Sequence, residues 1–271
     1  MVNYFSMTRA DYDALFAEPS EPINSLKFSS DDNFTLSAPK KWDGTLEYTN
    51  DNGNTWTEWD GSELSGIANK PIYLRGIGNS KITGGYYNWR FTGKYCIGNI
   101  ENLLDYQTVA NNEHPTMGAN CYYRMFQNCT TLITVPELPA TILSAYCYYG
   151  MFEGCTNLTT APELPATTLA DSCYCYMFKD CTSITTLPEL IATTLIKICY
   201  SSMFQGCTAI KLSTTQTDEY KYAYRIPTEG NGTTASHALD DMFKNTGGTF
   251  KGTPSINTTY YTDHGPVSAN I

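Results

Sequence analysis

Charged residues, and basic ones above all, are scarce in this chain. Asp, Glu, Lys and Arg make up only 16% of its 271 residues, below the roughly 25% of an average globular domain. Acidic residues outnumber basic ones by 27 to 17, which gives a formal charge of −10. A protein that binds nucleic acid needs the opposite balance, because Lys and Arg must neutralise phosphates. We therefore expect no nucleic-acid partner.

Long apolar segments are absent as well. No run approaches the roughly 20 apolar residues that cross a bilayer as a helix, so we expect no membrane span. We expect no secretory signal either, because no basic stretch followed by an apolar one opens the chain. Apolar residues still make up 41% of the chain and aromatic residues 13%, which predicts an ordered protein.

The groups that carry most enzyme chemistry are few. The histidines, His114, His237 and His264, stand in separate contexts, and none forms a His-x3-His pair or lies beside a nucleophile-elbow serine. No glycine-rich phosphate-binding loop with a lysine occurs. We predict that the chain is not an enzyme and that it takes no cofactor and no metal.

Residues 1–25 are predicted to form an N-terminal arm with a proline linker. Arg9 to Ala17 fits a short helix, and Glu18 to Pro22 ends it because proline removes a backbone donor and disfavours helix before it. Such an arm frays unless it packs on something, which is either a partner or its own domain. The candidate partner-docking residues of the arm are Tyr4, Phe5, Tyr12, Leu15 and Phe16.

Residues 26–95 are predicted to form a small β domain rich in hairpins, because short apolar runs alternate there with turns. The strongest turn, Thr49 to Trp56, resembles the Asp-box of sialidase-type propellers, in which the Asp ties a hairpin turn and the Trp packs beneath it. One copy predicts a hairpin rather than a propeller. The tryptophans of the chain predict an aromatic core for this domain: Trp42, Trp56, Trp59 and Trp89.

A period of 26 residues dominates the rest of the chain. Two cysteines with a Met-Phe pair between them recur at this step, most regularly from residue 121 to 213, and so does a Pro-Glu-Leu sequence. A fixed period is typical of a solenoid, whose units bury their apolar faces only against each other. We predict a solenoid over residues 96–246, with residues 247–271 as a C-terminal cap or tail.

Individual positions of the repeat carry predictions of their own. The residue before the second cysteine tolerates a left-handed backbone and predicts a tight turn: Asn128, Gly154, Asp180 and Gly206. The apolar residues that follow are predicted to start short strands of a parallel stack, which proline then ends. The first cysteine and the methionine four residues later are predicted to share one face of a short helical turn.

The repeat resembles the leucine-rich repeats of the BspA-like surface proteins. The matching motif is Met-Phe-x-Gly-Cys-Thr-x-Leu-Thr-x-x-Pro-x-Leu-Pro-Ala-Thr-Thr-Leu-x-x-x-Cys-Tyr. Met151 to Tyr174 follows it closely, whereas the fourth copy loses Pro-Glu-Leu after Lys211. The predicted fold is therefore mainly β: a hairpin-rich domain followed by a leucine-rich-repeat solenoid with short helical turns. The resemblance implies surface display and adhesion.

The ten cysteines are predicted to be buried free thiols rather than disulfides or metal ligands. Equivalent residues of adjacent coils lie about 4.8 Å apart, whereas Cβ atoms joined by a disulfide lie about 3.8 Å apart. Zinc fits poorly, because the two cysteines of a repeat are separated by seven residues and only Cys173 and Cys175 lie closer.

Two rows of repeated side chains are the candidate binding residues. An exposed tyrosine row would offer area and hydroxyl groups to a ligand, and a glutamate row suits a cation or a basic partner. Packing at the edge of a coil is the alternative for the tyrosines, and a solvated edge is the alternative for the glutamates. The rows are Tyr122, Tyr148, Tyr174 and Tyr200, and Glu137, Glu163 and Glu189.

Together these features predict a non-enzymatic, surface-displayed protein for binding or adhesion to a host-surface protein or glycan. We expect it on the surface of a phage virion, as an appendage or decoration protein whose arm contacts other virion proteins, because no signal is seen and the arm is expected to dock. The alternatives are a bacterial cell-surface adhesin and a purely structural subunit that stabilises a capsid. The sequence leaves open whether the chain forms a homo-oligomer.

Overall fold

The computed structural model describes residues 21–84 and 88–267. The described chain is mainly β, as predicted, with a single helix among these residues. The predicted helix of the arm and its candidate docking residues lie outside the described part: Tyr4, Phe5, Tyr12, Leu15 and Phe16.

Two antiparallel sheets build the N-terminal part. Their strands are β1 (Leu26–Ser29), β2 (Phe34–Ser37), β3 (Thr45–Thr49), β4 (Thr57–Glu58), β5 (Leu64–Gly66), β6 (Ile72–Ile77), β7 (Arg90–Phe91) and β8 (Tyr95–Ile97). One sheet has the order β4-β3-β6-β1-β8 and the other the order β5-β2-β7. Burial alternates along β1 and β2, as it does when one face of a sheet covers a core.

Aromatic rings join the two sheets. Phe28 of β1 meets Phe91 of β7 edge-on, with ring centroids 5.2 Å apart. Trp59 stacks on Trp42 at 5.5 Å and meets Trp89 edge-on at 5.3 Å, and all three tryptophans are buried. The predicted aromatic core is confirmed for these three. Trp56 is only half-buried, and its ring instead lies 3.9 Å from the Arg75 guanidinium.

The predicted Asp-box hairpin is also confirmed. Strands β3 and β4 pair antiparallel on either side of it. The carboxylate of Asp51 accepts hydrogen bonds from the Thr49 hydroxyl at 2.5 Å, the Thr55 amide at 3.0 Å and the Thr55 hydroxyl at 2.6 Å. These bonds, with that from Thr49 the largest contribution, lower the pKa of Asp51 to about 2.

The helix α1 (Asn102–Ala110) follows β8 and packs against β6. Its first turn is interrupted at Asp105, whose backbone is extended and whose Oδ1 accepts the amides of Gln107 and Thr108 as an N-cap does. Glycine is required at Gly76 of β6, because a Cβ there would lie 1.7 Å from the carbonyl oxygen of Leu103.

From residue 120 onward the chain forms stacked coils. Each coil contains a turn segment, and the five turn segments are residues 120–128, 146–154, 172–180, 198–206 and 237–245. Every second amide of the first segment, from Asn120 to Asn128, donates to a carbonyl of the next coil, as when Phe126 donates to Met151 at 2.9 Å. The intervening amides of Tyr123, Met125 and Gln127 donate to the carbonyl three residues back, as when Met125 donates to Tyr122 at 3.2 Å.

The predicted helical turn carrying cysteine and methionine is wrong. An α-helix directs its amides along its own axis, whereas half of the amides here bond to the neighbouring coil. The segment is a run of tight turns in which every fourth residue is left-handed, with φ of +59° at Asn120, +52° at Arg124 and +61° at Asn128. The tight turn predicted before the second cysteine is confirmed, because Gly154, Asp180 and Gly206 are left-handed too.

Identical rings stack through the coils. The phenylalanine row has centroid separations of 5.5 to 5.7 Å and consists of Phe126, Phe152, Phe178, Phe204 and Phe243. Phe243 follows Phe204 by 39 residues instead of 26, so the fourth coil carries an insertion without breaking the row. The N-terminal sheets end the row at the other side, where Phe28 lies 6.4 Å from Phe126.

Short strands complete the coils. They are β9 (Thr194–Leu195), β10 (Lys211–Ser213), β11 (Tyr222–Arg225), β12 (Thr233–Thr234), β13 (Gly247–Gly248) and β14 (Thr259–Thr262). Strands β9 and β12 pair in parallel, as do β10 and β13, whereas β14 runs antiparallel between β10 and β11.

All ten cysteines are buried free thiols, as predicted. The second cysteine of a repeat donates its thiol hydrogen to the phenylalanine carbonyl of the preceding coil, at 3.1 Å for Cys155 to Phe126 and 3.0 Å for Cys181 to Phe152. Burial raises the pKa of Cys155 well above its usual value. The thiols therefore serve as small apolar filler with a weak donor.

The tyrosine hydroxyls of the interior supply a test. Tyr122 donates its hydroxyl to the Ile100 carbonyl at 3.2 Å, whereas the buried hydroxyl of Tyr148 has no partner among the described residues. We expect Tyr122→Phe to lower the free energy of unfolding by about 1 kcal/mol. Tyr148→Phe should leave it unchanged or raise it, because an unsatisfied buried hydroxyl costs free energy.

Chemical denaturation of the two variants beside the parent chain measures both values. Tyr148→Ala serves as the control for packing, with an expected loss of about 3 to 5 kcal/mol because it leaves a cavity in the ring row. A larger loss for Tyr148→Phe than for Tyr122→Phe would contradict the assignment of hydroxyl partners.

Candidate functional site

The tyrosine row predicted to bind a ligand lies inside the stack. Its rings are at most 1% exposed and stack with centroids 5.6 to 5.8 Å apart: Tyr122, Tyr148, Tyr174 and Tyr200. Of the two alternatives left open by the sequence, an exposed binding strip and a packed row, the structure has the packed row, because the run of turns directs two successive residues inward. Cys147 and Tyr148, which follow each other in the chain, are both 0% exposed.

Other tyrosines of the turn segments are partly exposed. The rings of Tyr123 and Tyr149 are parallel at 4.7 Å, Tyr176 meets Tyr149 edge-on at 5.4 Å, and Tyr146 is 38% exposed. We call these four residues the outer tyrosine cluster. The Arg124 guanidinium lies 5.6 Å from the first two rings.

The charges around the outer tyrosine cluster are already paired with each other. Glu153 accepts a hydrogen bond from the Gln127 amide at 2.7 Å, and its carboxylate lies 3.2 Å from the Lys179 ammonium and 3.6 Å from Arg124. A ligand would have to compete with this network for its polar contacts. The cluster therefore offers ring surface but little unsatisfied polarity.

A groove of about 850 Å³ runs over the first two repeats. We call it the repeat groove. It is lined by matching positions of the two repeats: Thr134 with Thr160, Pro136 with Pro162, Glu137 with Glu163, Pro139 with Pro165, and Thr141 with Thr167. His114, Ile133 and Ile191 also line it. Most of its surface is apolar, and the two carboxylates are its acidic groups.

The glutamate row is thus only partly brought together. Glu137 is exposed and Glu163 half-buried on the same lining, whereas Glu189 is not on it. The main-chain amide of Glu189 donates instead to the carbonyl of Val267 at 3.1 Å, so the C-terminal segment runs beside the third copy of Pro-Glu-Leu.

The repeat groove exists because the first two repeats are not bonded to each other along it. Among the described residues, no backbone hydrogen bond joins 133–140 to 159–166, although the same repeats are bonded through their turn segments and through Leu143, whose amide donates to Thr168 at 2.9 Å. Prolines supply a physical reason for the missing bonds, since each of these two stretches contains two prolines, which have no amide hydrogen. Recurrent prolines are the sequence signal that could have identified this face.

One buried acid lies behind the repeat groove. Glu101 is 1% exposed and its Oε2 lies 2.8 Å from Nδ1 of His114, which is itself exposed on the groove lining. Burial raises the pKa of Glu101, and the hydrogen bond with His114 only partly offsets this. The pair holds the imidazole in place beside the groove.

The described residues contain no group of three His, Cys, Asp or Glu side chains placed to hold a metal ion. None of their helices combines the length and the apolar character needed to cross a bilayer. The geometry that the described chain offers is a surface for contact: the repeat groove and the outer tyrosine cluster.

The raised pKa of Glu101 predicts that the free energy of unfolding depends on pH. Because its pKa is higher in the folded than in the unfolded chain, the folded chain holds this proton more tightly, and the free energy of unfolding falls as pH rises through that window. Glu101→Gln removes this contribution. We expect the difference in unfolding free energy between parent and variant to change as the pH rises above the ordinary pKa of a glutamate, about 4.3.

Denaturation with urea at several pH values measures this difference. The control is Glu113→Gln, an exposed acid close to His114 in the sequence. If the free energy of unfolding changed with pH in the same way for the parent chain and for Glu101→Gln, the raised pKa of Glu101 would be contradicted.

The chain matched no protein-family model, no curated protein and no solved structure. The resemblance to the BspA-like repeats therefore rests on the motif in the chain itself, and its function is argued from the surfaces that the repeats build.

Proposed function

We propose that this chain is a non-enzymatic binding protein, displayed on a surface, whose repeat groove holds a ligand from a partner surface. The observation that carries the proposal is that matching positions of two successive repeats line the same groove. Stacked repeats characteristically bind partners over extended faces built in this way. We further propose that the stack is a leucine-rich-repeat solenoid of the BspA-like kind.

The composition of the groove supports contact with a macromolecule. Its volume of about 850 Å³ lies in the range of small-molecule pockets, and stacking of repeats extends such a surface along a longer ligand. Proline and threonine side chains supply a largely apolar surface, while Glu137 and Glu163 add charge that can orient a ligand. The alternation of these residue types along the repeat suits an extended host-surface protein segment or a glycan chain.

Two settings agree with surface display: a phage virion, which we propose, and a bacterial cell surface. The virion setting makes the protein an appendage or decoration subunit. Immunogold imaging with antibodies against the chain distinguishes them, because label would lie on particles in the first case and on cell envelopes in the second.

A bulky substitution in the repeat groove tests the proposed function. Thr160 is exposed on the lining, so Thr160→Trp should fill part of the groove without disturbing the interior. We expect the labelled chain to bind cells or glycans of the host surface, and Thr160→Trp to weaken that binding by at least about tenfold, a loss of roughly 1.4 kcal/mol.

The matched control is Thr182→Trp, since Thr182 is exposed in the third repeat but does not line the groove. Binding to a panel of bacterial cells and to a glycan array is read by fluorescence. Equal binding by Thr160→Trp and Thr182→Trp would move the ligand site away from the groove, and Tyr149→Ala would then test the outer tyrosine cluster.

A further inference from the structure

A second cavity lies beside the repeat groove, in the N-terminal part of the chain. It has a volume of about 480 Å³ and forms where the segment before β1, the connection from β8 to α1 and the loop after α1 meet. We call it the polar pocket, because Val109 is the one apolar side chain on its lining among the described residues. The others are four asparagines, one serine, two glutamates and His114. His114 lines the repeat groove as well, so the two cavities share a wall.

The lining of the polar pocket includes a buried acceptor that lacks a donor. Asn102, the first residue of α1, is 3% exposed, and its Oδ1 accepts no hydrogen bond from any residue that the structure describes. An amide oxygen buried in this way costs free energy, which a leucine of similar size at the same position would avoid. A donor supplied by a ligand would remove that cost. Asn102 is therefore the observation that points to an occupant of the pocket.

The acid that precedes Asn102 in the chain has unused capacity too. Glu101 is 1% exposed, and its Oε2 lies 2.8 Å from Nδ1 of His114, whereas its Oε1 forms no hydrogen bond with the described residues. A carboxylate can accept about four hydrogen bonds. Glu113, exposed on the same lining, adds a second negative charge. Lysine and arginine are absent from the lining within the described chain, so no permanent positive charge balances the two glutamates there.

We propose that the polar pocket binds a sugar residue with a free amino group, an amino sugar of a host-surface glycan. This rests on the proposed function and names the class of glycan that the protein holds. The ammonium group of such a sugar carries three donors, which suit the free oxygen of Glu101 and Oδ1 of Asn102. The sugar hydroxyls, each a donor and an acceptor, match the side-chain amides of Asn24 and Asn112 on the same lining. The rest of the glycan then extends past His114 into the repeat groove.

The lining favours an amino sugar over other ligands. A lysine side chain carries the same ammonium group on a four-carbon stem that packs on apolar surface, and Val109 alone offers such surface among the described residues. A sugar acid would bring a further negative charge towards Glu101 and Glu113. A metal ion takes several ligands at once, and the described chain places no group of three acidic, histidine or cysteine side chains to supply them.

The test measures the affinity of the full chain for four probes by isothermal titration calorimetry, in mildly acidic buffer that keeps the sugar amines protonated. The probes are a tetramer of glucosamine, the same tetramer with every amino group acetylated, tetralysine and calcium chloride. We expect the glucosamine tetramer to bind, and the acetylated tetramer to bind at least about tenfold more weakly because acetylation removes the positive charge. Binding of the acetylated tetramer, tetralysine or calcium that equals that of the glucosamine tetramer would overturn the inference.

Two variants in the pocket and one outside it complete the test. Glu101→Gln and Asn102→Leu should each weaken binding of the glucosamine tetramer several-fold. Glu229→Gln makes the same change of charge at an exposed acid that does not line the pocket, and should leave binding unchanged. Chemical denaturation checks the fold, and Asn102→Leu should be at least as stable as the parent chain because it removes an unsatisfied acceptor. Binding that is unchanged in Glu101→Gln would contradict the assignment of the pocket.

The result can be separated from that of the proposed function. Host-surface binding that is lost in Thr160→Trp, with no glucosamine tetramer bound by the parent chain, would leave the proposed function standing and remove the amino-sugar site. Tetramer binding that depends on Glu101, with host-surface binding unchanged in Thr160→Trp, would support the amino-sugar site and remove the repeat groove as the ligand site of the proposed function.

Discussion

The hydrogen bonds between successive turn segments are the interaction on which the rest of the stack depends. Every second amide of a segment is committed to the next coil, which forces every fourth residue into a left-handed backbone and rules out a helix. The same bonds fix the separation of the coils, so that identical rings stack at about 5.6 Å, as for Tyr122 and Tyr148. The thiol of Cys155 then finds the Phe126 carbonyl of the preceding coil within reach. Ring rows and buried thiols are thus consequences of one bonding pattern.

The repeat groove follows from the lack of that pattern elsewhere in the repeat. Around Pro136 and Pro162 the main chain cannot offer a continuous row of amides, and the first two repeats are joined there by no backbone bond between described residues. Where the chain has spare length, after the fourth repeat, it fills the corresponding edges with β14 and Val267. The groove over the first two repeats is the part of this face that the described chain does not cover.

The repeating coils, the Asp51 hairpin and the aromatic core of the N-terminal part could be predicted from the sequence, because each depends on a local or strictly repeated signal. The left-handed turn at Asn128 follows from residue type alone, and the Asp51 hairpin from a short motif. The turn segment could not be distinguished from a helix by sequence, because cysteine and methionine four residues apart fit a helical face and a run of four-residue turns equally well. The same local geometry decides that Tyr148 is buried and that its neighbour Tyr149 is only half-buried, which residue types alone do not determine. The pairing of residue 267 with the third repeat could not be predicted, since the insertion before Phe243 breaks the period that links sequence position to place in the stack.

The stacked rings also affect how this protein can change in length. Each phenylalanine of the row contacts the equivalent ring of the adjacent coils, as Phe152 contacts Phe126 and Phe178. Removing or duplicating one complete unit of 26 residues would therefore leave the contacts of each remaining ring unchanged. Gain or loss of whole units can thus lengthen or shorten the proline-bearing face without redesign of the interior, and with it the length of ligand that we propose the face to hold.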